Sequence, residues 1–189
     1  MSAICIIPAR GGSQRIPRKN IKMFHGKPII AYSIETAKES GLFECIVVST
    51  DNKEIRKVAE TYGAAVHMRP PEFGEDAVGT QDVAAECLDS MGYTGDMACV
   101  IYATAPLMNI ADLRWGRVCS EENSYYAFSV GTSPLCDAGQ FYWGPTEDFI
   151  LGAQLIDPKT AMIPIVPGRV CDINTPEDWA RAEQMYAAL

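Results

Sequence analysis

Short apolar runs alternate with stretches of helical spacing along nearly the whole chain. Ile4–Ile7 is one such run, and its length and bounds predict a buried first strand. Ile29–Glu39 has helical spacing and stops near Gly41. Cys45–Ser49 predicts a second buried strand. It is followed by Thr50, Asp51 and Asn52, and either Asp51 or Asn52 is placed to cap a helix that runs to Tyr62 and ends at Gly63. Ala64–His67 reads as a short strand, and Arg69 to Ala77, rich in Pro, Gly and acid, as a loop. Thr80 to Met91 reads as a helix with Thr80 as its N-cap. Further on, Ala98–Tyr102 predicts a strand and Ala111–Ser120 a helix. Tyr125–Val130 and Gln140–Trp143 predict two strands separated by a loop over Ser133–Gly139, Met162–Val166 a last strand, and Pro176–Ala188 a closing helix. This alternation predicts an α/β protein: a three-layer α/β/α arrangement whose sheet is mostly parallel and mixed at one edge, where fewer helices separate the strands.

Composition narrows this picture. A chain of 189 residues with 48% hydrophobic content can bury a real core, and a single domain over residues 1–189 is expected. The net charge of −8 argues against a nucleic-acid partner, because neutralising a phosphate polymer takes a broad basic surface. No apolar run has the length of a membrane span, and no charged leader precedes an apolar stretch at the N-terminus. The seven cysteines are scattered and contain no C-x-x-C pair, so buried thiols in a reducing cytoplasm are expected. With only His25 and His67, a histidine-rich metal site is excluded, and any metal would be oxygen-ligated, which points to magnesium.

Charge is locally inverted in one place. The stretch Pro8-Ala9-Arg10-Gly11-Gly12-Ser13-Gln14-Arg15-Ile16-Pro17-Arg18-Lys19-Asn20 puts four cations into one loop directly after the first strand. Glycines let backbone approach a ligand, and backbone N–H groups together with fixed cations make a seat for a polyanion such as a nucleoside triphosphate. Arg10, Arg15 and Lys19 are the phosphate-contact candidates, while Arg18 can equally face solvent. Neither the dinucleotide fingerprint nor the Walker spacing is present. A second constellation is Asp172-Ile173-Asn174-Thr175-Pro176-Glu177-Asp178. Thr175 or Asn174 as N-cap, Pro176 at the first helical position and acids in the first turn explain all of it except Asp172. In extended geometry Asp172 and Asn174 point the same way, and two oxygen side chains could hold magnesium against a triphosphate. Arg69 and Thr80 could frame a base, or be loop and cap residues. Tyr102 and Thr104 follow a strand at the end where ligands bind, and Asp137 and Gln140 beside aromatics could line a sugar pocket or only accompany core packing.

On these residues the chain resembles the acylneuraminate cytidylyltransferases. The opening Ile-Pro-Ala-Arg-Gly-Gly-Ser-x-Arg-Ile-Pro-Arg-Lys-Asn is joined, in family order, by Val48-Ser49-Thr50-Asp51, Arg69-Pro70, Gly79-Thr80, Thr104-Ala105-Pro106, Asp137-Ala138-Gly139-Gln140-Phe141-Tyr142-Trp143 and the Asp-Ile-x-Thr-Pro-Glu-Asp-Trp ending. The likeness is greatest to the pseudaminic branch. It implies a nucleotide-diphospho-sugar transferase-like fold and CMP transfer from CTP to the anomeric hydroxyl of a nine-carbon acidic sugar with Mg²⁺, releasing pyrophosphate. By carry-over Arg10, Lys19 and Asp172 are catalytic. Ala9, Arg10, Gly11, Gly12, Ser13, Gln14, Arg15, Lys19, Asn20, Arg69, Thr80 and Thr104 bind the nucleotide. Tyr102, Asp137 and Gln140 lie at the sugar, and Asp172 and Asn174 hold the metal. Two other readings stand beside this one: a non-catalytic nucleotide-binding protein of the same fold, and a nucleotidyltransferase for another sugar acid.

The chain departs from the family pattern at four points. Gln14 stands where the family usually has Lys, which removes a charge-assisted phosphate contact worth about 1.5–3 kcal/mol. Asn174 stands where it usually has Asp, and Cys136 where the pseudaminic branch has His. The family's long excursion between the Phe-Ser-Val strand and the Asp-Ala-Gly segment is reduced to Gly131–Cys136. That excursion makes the usual dimer contact, so its loss predicts a monomer or a different oligomer.

Overall fold

The computed structural model describes residues 1–74 and 78–189; the end of the predicted Arg69–Ala77 loop, from Glu75 on, lies outside the described residues. The strands are β1 (Ala3–Pro8), β2 (Met23–Phe24), β3 (Lys27–Pro28), β4 (Cys45–Thr50), β5 (Ala65–Met68), β6 (Met97–Ile101), β7 (Ala127–Thr132), β8 (Leu135–Pro145) and β9 (Ala161–Pro164). The α-helices are α1 (Ile29–Ser40), α2 (Lys53–Thr61), α3 (Thr80–Ser90), α4 (Ile110–Asn123), α5 (Thr146–Ile150) and α6 (Pro176–Ala187). One seven-stranded sheet has the order β5-β4-β1-β6-β8-β7-β9, and β2 and β3 form a separate small hairpin. Strands β5, β4, β1 and β6 are parallel, as expected from the alternation with helices. The reversed strand is β8, antiparallel to both β6 and β7 and two strands in from the β9 edge.

The pleat of β1 shows how the layers form. Ala3, Cys5 and Ile7 face a core shared with Ile30 and Ile34 of α1, Ile55 of α2 and Leu113 of α4. Ile4 and Ile6 face the opposite core with Ala84, Cys87 and Leu88 of α3 and Phe149 of α5. A central parallel strand buried on both faces needs such a continuous apolar run, which is why it is conspicuous in the sequence. A third cluster lies off the sheet. Phe24, Tyr32, Leu107, Ile173 and Trp179 of α6 pack there with Ile16, and so pin the basic loop to the C-terminal segment.

Several elements differ from the expectation. The loop predicted over Ser133–Gly139 is instead the turn of a β-hairpin, with Ser133 and Pro134 at its tip. Leu135 to Asp137 are already strand, paired Thr132↔Leu135, Gly131↔Cys136 and Val130↔Asp137. Pro, Asp and Gly locally disfavour a strand, but pairing with β7 overrides them. The N-cap of α3 is Gly79, not Thr80, and the Asp82 carboxylate accepts the Gly79 N–H at 3.2 Å. Of the two candidates for α2, Asn52 is the cap, accepting the N–H groups of Glu54 and Ile55. Asp51 turns back to accept the Gly11 N–H at 2.7 Å. Of the two candidates for α6, Thr175 is the cap, in a reciprocal box with Asp178.

Candidate active site

The carboxyl ends of β1, β4 and β6 deliver three loops to one edge of the sheet, where α/β proteins bind their ligands. A cleft of about 310 Å³ opens there, bounded by Arg10, Lys19 and Asn20 on one side, Arg69 and Thr80 on another, and Tyr102, Thr104, Asp137, Asp172 and Asn174 on a third. It runs into a second hollow of about 420 Å³ lined by Ser13, Gln14 and Arg15 and sharing Arg10, Lys19, Asn20 and Asn174. Residues far apart in sequence, from Arg10 to Asn174, therefore meet at one place.

The basic loop is held by specific contacts. Ala9 is fully buried and its N–H donates to the Ser49 carbonyl at 2.9 Å, so it does not reach the cleft as a nucleotide contact. The Gly11 N–H is likewise occupied, by Asp51, and Gly11, expected at the nucleotide, is not among the described residues lining the cleft or its extension. Gly11 is glycine for a steric reason: a Cβ there would stand 2.6 Å from Nδ2 of Asn52. Gly12 has open space around it. Asn20 is buried and its Nδ2 donates to the Arg10 carbonyl at 2.9 Å, which ties the two ends of the loop together. Arg18 adopts a left-handed backbone and pairs with Glu54 at 2.9 Å, so it is the loop cation directed away from the cleft. Lys19 donates to the Ile173 carbonyl at 2.7 Å. Burial pulls its ammonium below the ordinary lysine value; Asp172 opposes this, and Arg15 and Arg10 reinforce it.

At the other end, Arg69 is nearly buried and donates through Nη1 to the Phe73 carbonyl and through Nη2 to the Ser49 carbonyl, both at 3.0 Å. Its Nε has no hydrogen-bond partner among the described residues. Burial lowers this guanidinium's pKa, against the pull of Asp51 and Glu86. Phe73, Val78 and Val83 add an apolar wall that sequence reasoning missed. Val83 was recoverable, because it lies three residues beyond Thr80 on the same face of α3.

The third wall carries the acids. Asn174 donates through Nδ2 to Oδ2 of Asp172, so the two side chains do share one face as the two-residue spacing predicts. The Asp172 backbone is brought in by Gly139, whose φ is +68° and whose Cβ, if it had one, would stand 2.6 Å from Cα of Asp172. Asp137 accepts the Gly139 N–H at 2.7 Å on Oδ1 and the Tyr102 hydroxyl at 2.8 Å on Oδ2. Gln140 is not at the cleft: its side chain is buried, and Nε2 donates to the Arg169 carbonyl at 2.7 Å. The strand is distorted between Asp137 and Gln140, where Gly139 has a positive φ and the register jumps from Val130↔Asp137 to Phe128↔Tyr142, so simple alternation does not fix which of the two faces the cleft.

The cytidylyltransferase family model matches residues 4–133. Pseudaminic acid cytidylyltransferase of Campylobacter jejuni subsp. jejuni is 37% identical over 224 aligned positions, covering 98% of this chain and 97% of the relative. An alignment of 224 positions cannot be filled by 189 residues, so at least 35 positions of that relative have no counterpart here. N-acylneuraminate cytidylyltransferase A of Danio rerio is 32% identical over 95% of this chain and 49% of its own length. In fold, the chain is similar to CMP:2-keto-3-deoxy-manno-octonic acid synthetase complexed with CTP, with a TM-score of 0.79 at 14% identity over 100% of this chain and 99% of that one. By the family match through most of its sheet and by relatives similar along nearly its whole length, this chain belongs to the cytidylyltransferase family.

Proposed function

We propose that this chain, as a single domain, transfers CMP from CTP to the anomeric hydroxyl of a nine-carbon acidic sugar of the pseudaminic or sialic type, releasing pyrophosphate. The observation that carries this reading is the meeting of the basic loop, the Arg69–Thr80 wall and the Asp172–Asn174 pair at one cleft. The names of the relatives along its length point to the same substrates.

In this reading the triphosphate lies along Arg10, Ser13, Arg15 and Lys19. The reaction is an in-line displacement at the α-phosphorus, which asks for positioning and charge stabilisation more than covalent help. Arg10, Arg15 and Lys19 stabilise the negative charge that accumulates on the departing pyrophosphate. The cytosine sits between Arg69 and Thr80 against the apolar wall, with Thr104 alongside. The sugar occupies the end near Tyr102 and Asp137. Asp172 and Asn174 would offer a carboxylate and a carboxamide oxygen, hard donors of the kind magnesium takes, in the cleft that Arg10 and Lys19 also line. Bound there with phosphate oxygens, magnesium would neutralise charge on the nucleotide. No described helix is long and apolar enough to cross a membrane, and all seven cysteines are free thiols, which supports a cytoplasmic setting.

Pyrophosphate release from CTP and Mg²⁺ with a panel of nine-carbon and eight-carbon sugar acids tests the reading. Turnover with a nine-carbon acid is expected. CTP binding with no turnover on any acid would overturn it in favour of a non-catalytic nucleotide binder, and turnover confined to an eight-carbon acid would overturn the substrate assignment.

A further inference from the structure

The attacking hydroxyl must lose its proton, and the cleft offers few places for it. Among the described residues lining the cleft and its extension there is no histidine, glutamate or cysteine; the carboxylates are Asp137 and Asp172. Asn174 cannot help, because a carboxamide does not accept a proton at neutral pH. Asp172 accepts the Asn174 amide and acts electrostatically on Lys19, which suits it to cation binding among the phosphates.

Asp137 is held differently. Each of its oxygens takes one fixed donor, the Gly139 N–H on Oδ1 and the Tyr102 hydroxyl on Oδ2. A carboxylate oxygen has two lone-pair sites, so this arrangement fixes the plane of the group and leaves acceptor capacity on both oxygens. We propose that Asp137 is the general base of the reaction, taking the proton of the sugar's anomeric hydroxyl, and that Tyr102 is its positioning residue. This rests on the CMP-transfer reading and adds to it the group that activates the nucleophile.

The step balances without any further reactant. The hydroxyl oxygen forms its bond to the α-phosphorus as its proton passes to Asp137, and the bond from the α-phosphorus to the bridging oxygen breaks. Pyrophosphate leaves with that electron pair, and Asp137 returns its proton to solvent. The surroundings favour the role. Burial pushes the Asp137 carboxyl above the ordinary aspartate value, while the Gly139 and Tyr102 hydrogen bonds work the other way. Burial, reinforced by Asp137, raises the Tyr102 phenol, which keeps it protonated and donating.

The test compares wild type, Asp137→Ala and Asp137→Asn with CTP, Mg²⁺ and the sugar acid that wild type turns over. Both variants are expected to lose about 10²–10⁴-fold in kcat while CTP binding is unchanged. Added sodium formate is expected to restore turnover, saturably, to Asp137→Ala but not to Asp137→Asn, whose amide fills the space. Where Asp137→Ala fails to fold, the isosteric Asp137→Asn with an unchanged thermal midpoint decides the question through its kcat. A wild-type kcat with a raised KM for the sugar would overturn the proposal, because it makes Asp137 a binding contact. A folded Asp137→Ala that is slow and unaffected by formate would also overturn it. Absence of turnover by wild type defeats the CMP-transfer reading and this one together; normal wild-type turnover with an undiminished Asp137→Asn defeats this one alone.

Discussion

Lys19 shows how much chemistry can rest on one side chain. Its ammonium is anchored to the Ile173 carbonyl and feels the charges of Arg10, Arg15 and Asp172. Replacing it in Lys19→Met removes a fixed charge from the proposed triphosphate seat, and kcat/KM is expected to fall about 10²–10³-fold in a pyrophosphate-release assay. Restoring the family's usual acid in Asn174→Asp works the other way. The half-activating magnesium concentration should drop, by roughly tenfold for an added contribution of about 1.4 kcal/mol, and an unchanged magnesium titration would remove position 174 from the metal site. These residues were legible because charge and spacing advertised them: Arg10, Lys19, Asp172 and Asn174 all line the cleft. Ala9 and Gly11 were not separable from their neighbours by sequence. What removes them is where their N–H groups go, to Ser49 and Asp51, and only the fold decides that.

Among the elements, α6 carries the clearest local code. Asp178 accepts the N–H groups of Asn174 and Thr175 and the Thr175 hydroxyl. Burial alone would raise its pKa, but these hydrogen bonds and Arg181 outweigh it and hold the carboxyl below the ordinary aspartate value. A depressed carboxylate contributes stability above the unfolded value of about 3.9, and loses it as pH falls through the folded one. The thermal midpoint of wild type should therefore exceed that of Asp178→Ala at neutral pH, with the gap closing in that acid range. Thr175→Ala, which removes the reciprocal cap, is expected to cost about 1 kcal/mol, a lowering of about 2–4 °C read by thermal denaturation. The β7–β8 hairpin was the element least visible beforehand. Its strand character comes from pairing with β7 rather than from Leu135-Cys136-Asp137 themselves. The β2–β3 hairpin and five-residue α5 are too short to leave a periodic pattern.

At the scale of the whole molecule, the two sheet faces and the off-sheet cluster divide the work. The sheet cores fix the strand ends from which the cleft is built, and the third cluster fastens the basic loop and α6 to one another through Ile16, Phe24 and Trp179. Trp179→Ala should accordingly cost about 3–5 kcal/mol in a denaturant titration and weaken CTP binding beyond what global unfolding explains, because the loop loses its anchor. Strands β7 and β8 are joined by no more than the Ser133–Pro134 turn, at the place where the resemblance implies a dimer-forming excursion. The mass of a monomer or of a different oligomer is expected in solution; a dimer built on the hairpin face would overturn that. The contact between β8 and the segment before α6 also bears on how the chain can change over time. Gly139 and Asp172 are separated by a long stretch of sequence yet stand in steric contact, so neither segment drifts alone. In a saturation library screened for folded protein, Gly12 would tolerate many residues, whereas glycine would dominate at 139. A stretch recombined from a relative would be accepted only when both sides of that contact came with it.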